Sequence, residues 1–131
     1  MKKAILVIMI LVLLVSGCLA WFLYFKNKPQ AEVPFNYDPG DYFVTDIKDS
    51  KSLLKTDIIL AMADTNQQTE LTANNHRIRD AIIFVLRDKT EAELKSPDIR
   101  ENVEKEIISL LNQNFNTDNF LDLYFNEFVI Q

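Results

Sequence analysis

The residue types that most often carry catalysis or bind metals are scarce in this 131-residue sequence. It contains one cysteine, Cys18, and one histidine, His76, so it can form neither a zinc-binding cluster of thiols and imidazoles nor an intramolecular disulfide. Because Cys18 lies within an apolar run, it is poorly placed to act as a nucleophile beside a histidine. The two glycines, Gly17 and Gly40, stand far apart, which excludes phosphate-binding loops and dinucleotide fingerprints.

The 19 acidic residues provide no recognisable acid–base pair. Glu104 and Glu106, for example, are two positions apart and do not face each other on a helix. We therefore predict no catalytic residues, no cofactor and no metal site. A cell-wall enzyme is retained only as a third hypothesis.

The charge distribution argues against a role in nucleic-acid binding. The chain has 19 acidic and 14 basic residues, a net charge of −5, and its first 25 residues contain Lys2 and Lys3 but no acid. The rest of the chain is therefore strongly acidic and repels nucleic-acid phosphate. We predict no nucleic-acid partner, and we attribute the negative charge to solubility.

The N-terminal segment predicts a membrane anchor. Ala4–Phe25 is a run of 22 residues without a charge, and about 20 apolar residues suffice to cross a bilayer. Trp21 and Tyr24 stand near its far end, where aromatic rings favour the membrane interface. We predict residues 1–3 in the cytoplasm, a single transmembrane helix over 4–25 in contact with membrane lipid, and Lys26–Gln131 outside the cytoplasm.

A lipoprotein signal peptide is the alternative for this segment. Val15-Ser16-Gly17-Cys18 resembles a lipobox, in which the cysteine is lipidated and becomes the new N-terminus. Against cleavage, the apolar run continues past Cys18 to Phe25, whereas a mature lipoprotein normally turns polar directly after its cysteine. The alternative function is thus an envelope lipoprotein, lipidated at Cys18, that acts as a monomeric binding module.

Residues 26–41 predict a stiffened linker, because three of the four prolines and Gly40 lie there. Phe35 and Tyr37 within it have two alternative interpretations, which are docking onto the sheet of their own domain and contact with a partner. The remainder, residues 42–131, predicts one small domain.

The domain begins with two predicted strands and continues into two predicted helices. Strands over 42–47 and 52–63 are joined by a polar turn, and the even positions of the second strand form its apolar face. Polar residues from Thr65 onwards open a helical region whose clearest part is His76–Asp88, with an apolar stripe at helical spacing. After a short bridging turn over 90–95, Ser96-Pro97 predicts the cap and first position of a helix that runs to Asn114. The stripes are formed by Ile78, Ile82, Val85 and Leu86 in the first helix, and by Ile99, Val103, Ile107 and Leu110 in the second.

The last twelve residues, Phe120–Gln131, are aromatic and β-branched and predict a final strand. The order β-β-α-α-β indicates an α+β domain with helices covering one face of a small sheet. Apolar residues occupy both parities of the final strand, so we expect both of its faces to be covered, by helices or by another chain. This is the main sequence indication of self-assembly.

Three charged residues are candidates for contact with another subunit or partner. Asp57 lies on the polar side of the second strand, where it either lines an interface or faces water. Arg79 and Asp80 are adjacent on the helix, where they form either a local surface pair or a contact across an interface.

The order of these features resembles the FliL family of flagellar basal-body-associated proteins. The residues that carry the resemblance are the N-terminal anchor, the proline-containing spacer, the segment Arg77–Ile83 (RIRDAII), Lys89-Thr90, and the terminal Tyr124–Gln131 (YFNEFVIQ). The resemblance covers the whole chain and depends on the order of the motifs rather than on any single one.

The resemblance implies a fold similar to the stomatin-type domain and no catalytic residues. It also implies an extracytoplasmic, periplasmic domain on a single-pass inner-membrane protein, assembled into a homo-oligomeric ring around the flagellar stator complex of the MotA/MotB type. The expected function is that of a non-enzymatic scaffold of the flagellar basal body that supports torque and swarming motility.

Overall fold

The computed structural model describes residues 1–26 and 34–131, and the chain divides into two compact units, Met1–Glu32 and Val33–Gln131. In the first unit, helix α1 spans Lys2–Lys26, and its described apolar side chains, such as Leu14 and Trp21, are exposed. Among the residues that the structure describes, no helix combines the length and apolar character needed to cross a membrane. The transmembrane anchor therefore stays a prediction, and residues 27–33 of the predicted linker lie outside the described residues.

The second unit is built on a small antiparallel sheet of four strands, β1 (Phe35–Tyr37), β2 (Phe43–Asp46), β3 (Leu53–Met62) and β4 (Phe120–Ile130). The long strand β3 is central. Strands β1 and β2 pair with successive parts of one side of β3, and β4 pairs with its other side.

Four helices lie between β3 and β4 in the chain, and they are α2 (Gln68–Ala73), α3 (Asn75–Arg87), α4 (Glu91–Leu94) and α5 (Ile99–Phe115). Both α3 and α5 turn an apolar stripe towards the sheet, because aliphatic residues recur at helical spacing. Helix α4 is fixed by a capping box between Thr90 and Glu93. Helices with a small antiparallel sheet make the α+β combination that the sequence predicts, while the stomatin-like topology stays a prediction.

The core lies between the helices and one face of the sheet, which we call the inner face. The even residues of β3 predicted to be apolar, from Leu54 to Met62, are all fully buried, as is the predicted stripe of α3. In α5 the fully buried position is Leu111 rather than Leu110, which is only half-buried. The spacing of four from Ile99 through Val103 and Ile107 continues to Leu111, so the stripe winds slightly around the helix instead of returning to Leu110.

Three boundaries differ from the sequence predictions. Phe35–Tyr37 forms strand β1 inside the segment predicted as linker, because the aromatic side chains flanking Asn36 pack on the core side. The polar region before α3 forms a separate helix, α2, that ends at Ala73 with Asn74 as its C-cap. Helix α5 begins at Ile99 with Asp98 as its N-cap, so Ser96-Pro97 forms a turn and not the predicted cap.

Two register shifts interrupt the pairing of β3 with β4, between Asp57 and Ile58 and between Ala61 and Met62. A bulge reverses the alternation of sides along a strand. Phe125 and Phe128, three positions apart, therefore both pack against the core with their rings 5.3 Å apart in an edge-to-face arrangement. Apolar residues of opposite parity in the last strand therefore lie on the same face of the sheet.

Candidate interaction surface

The two aromatic residues of β1 are placed differently from each other. Tyr37 is buried, and its hydroxyl lies within hydrogen-bond distance of the Leu71 carbonyl oxygen, at 3.2 Å, and of Asn75 Oδ1, at 3.0 Å. Burial raises the pKa of Tyr37. Phe35 is half-buried and packs against the core. Both side chains thus contact their own domain.

Arg79 holds the loop between β1 and β2. Its Nη1 donates to the carbonyl oxygens of Pro39, at 3.2 Å, and Asp41, at 2.9 Å, while Nη2 lies 3.5 Å from that of Tyr42. Its guanidinium also lies 4.2 Å from the centre of the Phe43 ring. The loop needs a positive φ of 95° at Gly40. The structure does not pair Arg79 with Asp80, and Arg79 makes intrachain contacts instead.

Asp57 lies on the face of the sheet that points away from the helices, which we call the outer face. Its Oδ2 accepts a hydrogen bond of 3.0 Å from Asn126. Beside it, Lys55 pairs with Glu127 at 3.3 Å, and the Lys55 ammonium lies 4.0 Å from the centre of the Tyr42 ring. Exposed apolar side chains surround these polar pairs on the same face, and they are Val44, Leu53, Tyr124 and Val129.

Asp80 lines an open groove of about 490 Å³ on the exposed side of α3, together with Phe84 and Asp88. Phe84 is 70% exposed, more than any other large apolar side chain described in the second unit. A second cavity of about 250 Å³, lined by Val44, Thr45, Asp46 and Leu53, shares Ile83 and Arg87 with the first. We call the two together the β2–α3 groove.

The outward edge of β2 forms one side of this groove. The Ile47 amide donates to the Ser52 carbonyl, and in an antiparallel pair alternate residues form the hydrogen bonds. The odd residues of β2 therefore bond to β3, whereas Val44 and Asp46 direct their backbone N–H and C=O groups away from it. Lys48 is the next residue whose backbone groups point away from β3, and its amide donates to the Lys89 carbonyl at 3.0 Å. Thr45 is 5% exposed, and its hydroxyl is the buried side-chain polar atom that lacks a hydrogen-bond partner within residues 1–26 and 34–131.

Two carboxyl groups meet where α5 packs on β4. Glu104 of α5 forms a side-chain hydrogen bond with Asp122 of β4, and burial together with Asp122 raises the pKa of Glu104 to about 7. The same hydrogen bond lowers the pKa of Asp122. The negative Asp122 in turn raises the pKa of the Tyr124 hydroxyl. One proton shared between the two carboxyl groups accounts for both shifts.

Residues that could support catalysis are not gathered anywhere in the part of the chain that the structure describes. Cys18 is exposed on α1, and His76 is exposed at the start of α3. Over the same residues, no group of three or more histidine, cysteine or acidic side chains is arranged to hold a metal ion. What the second unit does offer is surface for contact, on the outer face and in the β2–α3 groove.

Phe84, Thr45 and the Glu104–Asp122 pair were not singled out by the sequence analysis. For Phe84 a signal was present, because it lies four positions after Asp80 and so falls among the charged residues of α3 rather than in its apolar stripe. For Thr45 and for the carboxyl pair there was none, since their surroundings depend on contacts between distant parts of the chain.

Comparison with known proteins identifies the family of this chain. Residues 37–131 match the family model described as flagellar basal body-associated protein FliL. The chain belongs to the FliL family. The matched part begins at Tyr37, the last residue of β1, and includes strands β2, β3 and β4 and helices α2–α5.

A curated relative extends the match. The chain is 30% identical over 105 residues to the flagellar protein FliL of Aquifex aeolicus (strain VF5). The aligned region is 79% of this FliL-family chain and 64% of the relative, so the chain spans less than two thirds of the relative's length. The resemblance found in the sequence is therefore confirmed at the level of the family. A flagellar accessory role is supported, and FliL is not a known enzyme family.

Proposed function

We propose that this chain is a non-enzymatic accessory of the flagellar motor, a membrane-anchored, ring-forming scaffold that associates with the stator and supports torque and swarming motility. The observation that carries the proposal is the FliL family match over 37–131. Ring formation, stator contact and membrane placement go beyond that match, and the anchor and the ring have separate support in the chain.

Support for the anchor comes from the sequence of the first unit. Ala4–Phe25 carries no charge, and α1 spans Lys2–Lys26, which at about 1.5 Å per residue is longer than the roughly 30 Å hydrocarbon layer. In the proposal, residues 1–3 lie in the cytoplasm and the second unit lies in the periplasm. The anchor then holds the folded unit at the membrane.

Support for a ring comes from the outer face of the sheet. Val129 is 38% exposed and Tyr124 is 49% exposed, so apolar side chains of β4 lie uncovered beside the Lys55–Glu127 pair. A face that mixes apolar residues with a few fixed polar pairs is suited to contact with a second copy. Asp57, held by Asn126, is our candidate polar contact at that interface.

The proposed mechanism requires no chemistry. Copies arranged side by side around a stator unit favour whichever stator conformation they bind more tightly, and they shift its population by that difference in affinity. Such a collar would support torque by stabilising engaged stators.

Assembly through the outer face is tested with the full chain in mild detergent, by light scattering coupled to size-exclusion chromatography. We expect the native chain to elute as an assembly of several copies and Val129→Asp to elute as single copies, because the added carboxylate would be buried in the contact. Phe84→Asp is the control, since Phe84 is 70% exposed but lies on α3 and not on the sheet. A native chain of single copies, or an unchanged Val129→Asp assembly, would count against the ring.

The second candidate is an envelope lipoprotein, which the Val15–Cys18 sequence favours. Mass spectrometry of the chain purified from membranes separates the two. An intact N-terminal segment supports the anchor, whereas a chain that begins at an acylated Cys18 supports the lipoprotein.

A further inference from the structure

The edge of β2 is an incomplete part of the sheet. Val44 and Asp46 direct their N–H and C=O groups away from β3, and within the described residues no other strand pairs with that side. A free edge of this kind is a template for one more extended chain. The opening is short, because Arg79 binds the Asp41 and Tyr42 carbonyls at one end and Lys48 binds Lys89 at the other.

A second observation at the same place is the Thr45 hydroxyl. It is buried, it lies in the wall of the cavity that the β2 edge shares with α3, and it has no hydrogen-bond partner among the described residues. Leaving a buried hydroxyl without a hydrogen-bond partner is unfavourable. A polar group from a bound chain would provide the missing partner.

The third observation is the composition of the groove floor and rim. Ile83 and the strongly exposed Phe84 supply an apolar contact site, and Ile83 also lines the cavity beside the β2 edge. Of the acidic rim residues, Asp46 pairs with Arg87 at 3.6 Å and Asp88 pairs with Lys48 at 2.8 Å. Asp80 forms no ion pair with any described residue, so its carboxylate is able to pair with a basic side chain of a bound segment.

We propose that the β2–α3 groove binds an extended segment of another protein by strand addition. In this arrangement the segment pairs its backbone with Val44 and Asp46, rests an apolar side chain on Phe84, and places a basic side chain beside Asp80. Main-chain hydrogen bonds supply the affinity of strand addition, and the alternating side chains supply its specificity. A helix would not satisfy the outward backbone groups, because its own are already paired.

The test uses the full chain in detergent micelles and a phage-displayed library of random nine-residue peptides as the probe. We expect enrichment, over empty micelles, of peptides with an apolar residue and a basic residue. The most enriched peptide is then synthesised with a fluorescein label, and its affinity for the chain is measured by fluorescence anisotropy.

Three variants separate the groove from other surfaces. Val44→Pro removes an outward N–H without touching the ladder to β3, and an edge strand tolerates this change. Phe84→Ser removes the apolar contact. We expect each to weaken binding at least about tenfold, which corresponds to about 1.4 kcal/mol, and the control Leu121→Ser to leave the affinity unchanged.

Three results would overturn the proposal. The first is a library that yields no enriched peptide. The second is an enriched peptide that binds Phe84→Ser as tightly as the native chain. The third is full binding by Val44→Pro, which would show that the peptide binds through its side chains without pairing its backbone. Thermal unfolding of each variant verifies its fold, and Phe84→Ser, at an exposed position, keeps the test decisive if Val44→Pro fails to fold. The proposal stands or falls without regard to the flagellar role.

Discussion

At the scale of single residues, two buried threonines in neighbouring strands show how the same side chain has opposite effects in different surroundings. Thr56 is fully buried and donates a 2.6 Å hydrogen bond to the Glu127 carbonyl, where the bulge in β4 has displaced the regular ladder. Thr45 is almost as buried and has no partner among the described residues. The first hydroxyl stabilises the fold, whereas the second destabilises it.

Replacing Thr45 by valine is therefore expected to stabilise the protein. Thr45→Val keeps the shape of the side chain and removes the unsatisfied hydroxyl, so we expect the free energy of unfolding to rise by about 1 kcal/mol. Thr56→Val is the matched control and should lower it by a similar amount, because the Glu127 carbonyl loses its donor. Denaturant unfolding of the full chain measures both, and equal losses in the two variants would contradict this assignment.

The Glu104–Asp122 pair predicts a dependence of stability on pH. The pKa of Glu104 rises from 4.5 when unfolded to about 7 when folded, so the folded state holds its proton more tightly. Its contribution is thus fully present below pH 4.5 and is lost as the pH rises through 7. Asp122 acts in the opposite sense, since its lowered pKa adds stability above its unfolded value.

Glu104→Gln tests this pair, because the amide donates to Asp122 at every pH. We expect the variant to lose the decline in stability between pH 5 and 8 and to exceed the native chain at pH 8 by on the order of 1 kcal/mol, after allowance for solvent screening. Glu101→Gln, on the same helix, serves as the control, since Lys105 lowers the pKa of Glu101 and no gain at high pH follows. Parallel pH profiles for native and Glu104→Gln chains would refute the shared proton.

At the scale of elements, the sequence predicts the helices and strands whose residue pattern lies within one segment. The stripe of α3 and the alternation of β3 are both present in the structure, because each follows from side-chain periodicity within one segment. Strand β1 has only three residues and is stabilised by pairing with residues 60–62. No pattern within its own three residues therefore predicts it. The bulges in β4 are equally hidden, since they arise from its pairing with β3.

The candidate site was less predictable than the fold for the same reason. Arg79 was identified as a residue of interest, but its role in binding three backbone carbonyls became visible only when the loop 39–42 was placed beside α3. Asp80 was also identified, yet its significance depends on Phe84 and on the β2 edge, which no pattern within α3 reveals.

The loop between β1 and β2 provides a prediction at this scale. Arg79→Leu removes the donors to the Pro39 and Asp41 carbonyls and the contact with the Phe43 ring, so we expect a loss of about 2 kcal/mol in the free energy of unfolding. Arg87→Leu, which breaks one exposed ion pair, should lose no more than about 1 kcal/mol. Similar losses in the two variants, measured by denaturant unfolding, would show that Arg79 does not hold the loop.

At the scale of the whole molecule, the chain combines an apolar N-terminal unit with an acidic folded unit. Each has a separate role in the proposal, since the first keeps the protein at the membrane and the second provides contact surfaces. The outer face and the β2–α3 groove border each other at Val44 and Leu53, whereas Tyr124 and Val129 belong to the outer face alone and Phe84 to the groove alone.

A charge in the middle of the apolar run tests the first unit. Leu11→Arg should impair membrane retention, because an arginine at the centre of a spanning helix is unfavourable by about 2.5–3.5 kcal/mol. Ala92→Arg, on the exposed side of α4, is the control and should fractionate with the native chain. Unchanged membrane fractionation of Leu11→Arg would argue against a spanning segment.

The most direct measurement of the central claim is the number of fluorescently labelled stator units per motor in cells under high load. We compare cells that carry the native gene, a clean deletion, and the deletion complemented with Leu11→Arg. The account predicts fewer engaged stator units and reduced swarming in the deletion strain, recovery with the native gene, and no recovery with Leu11→Arg. Equal stator numbers and equal swarming in all three strains would contradict it.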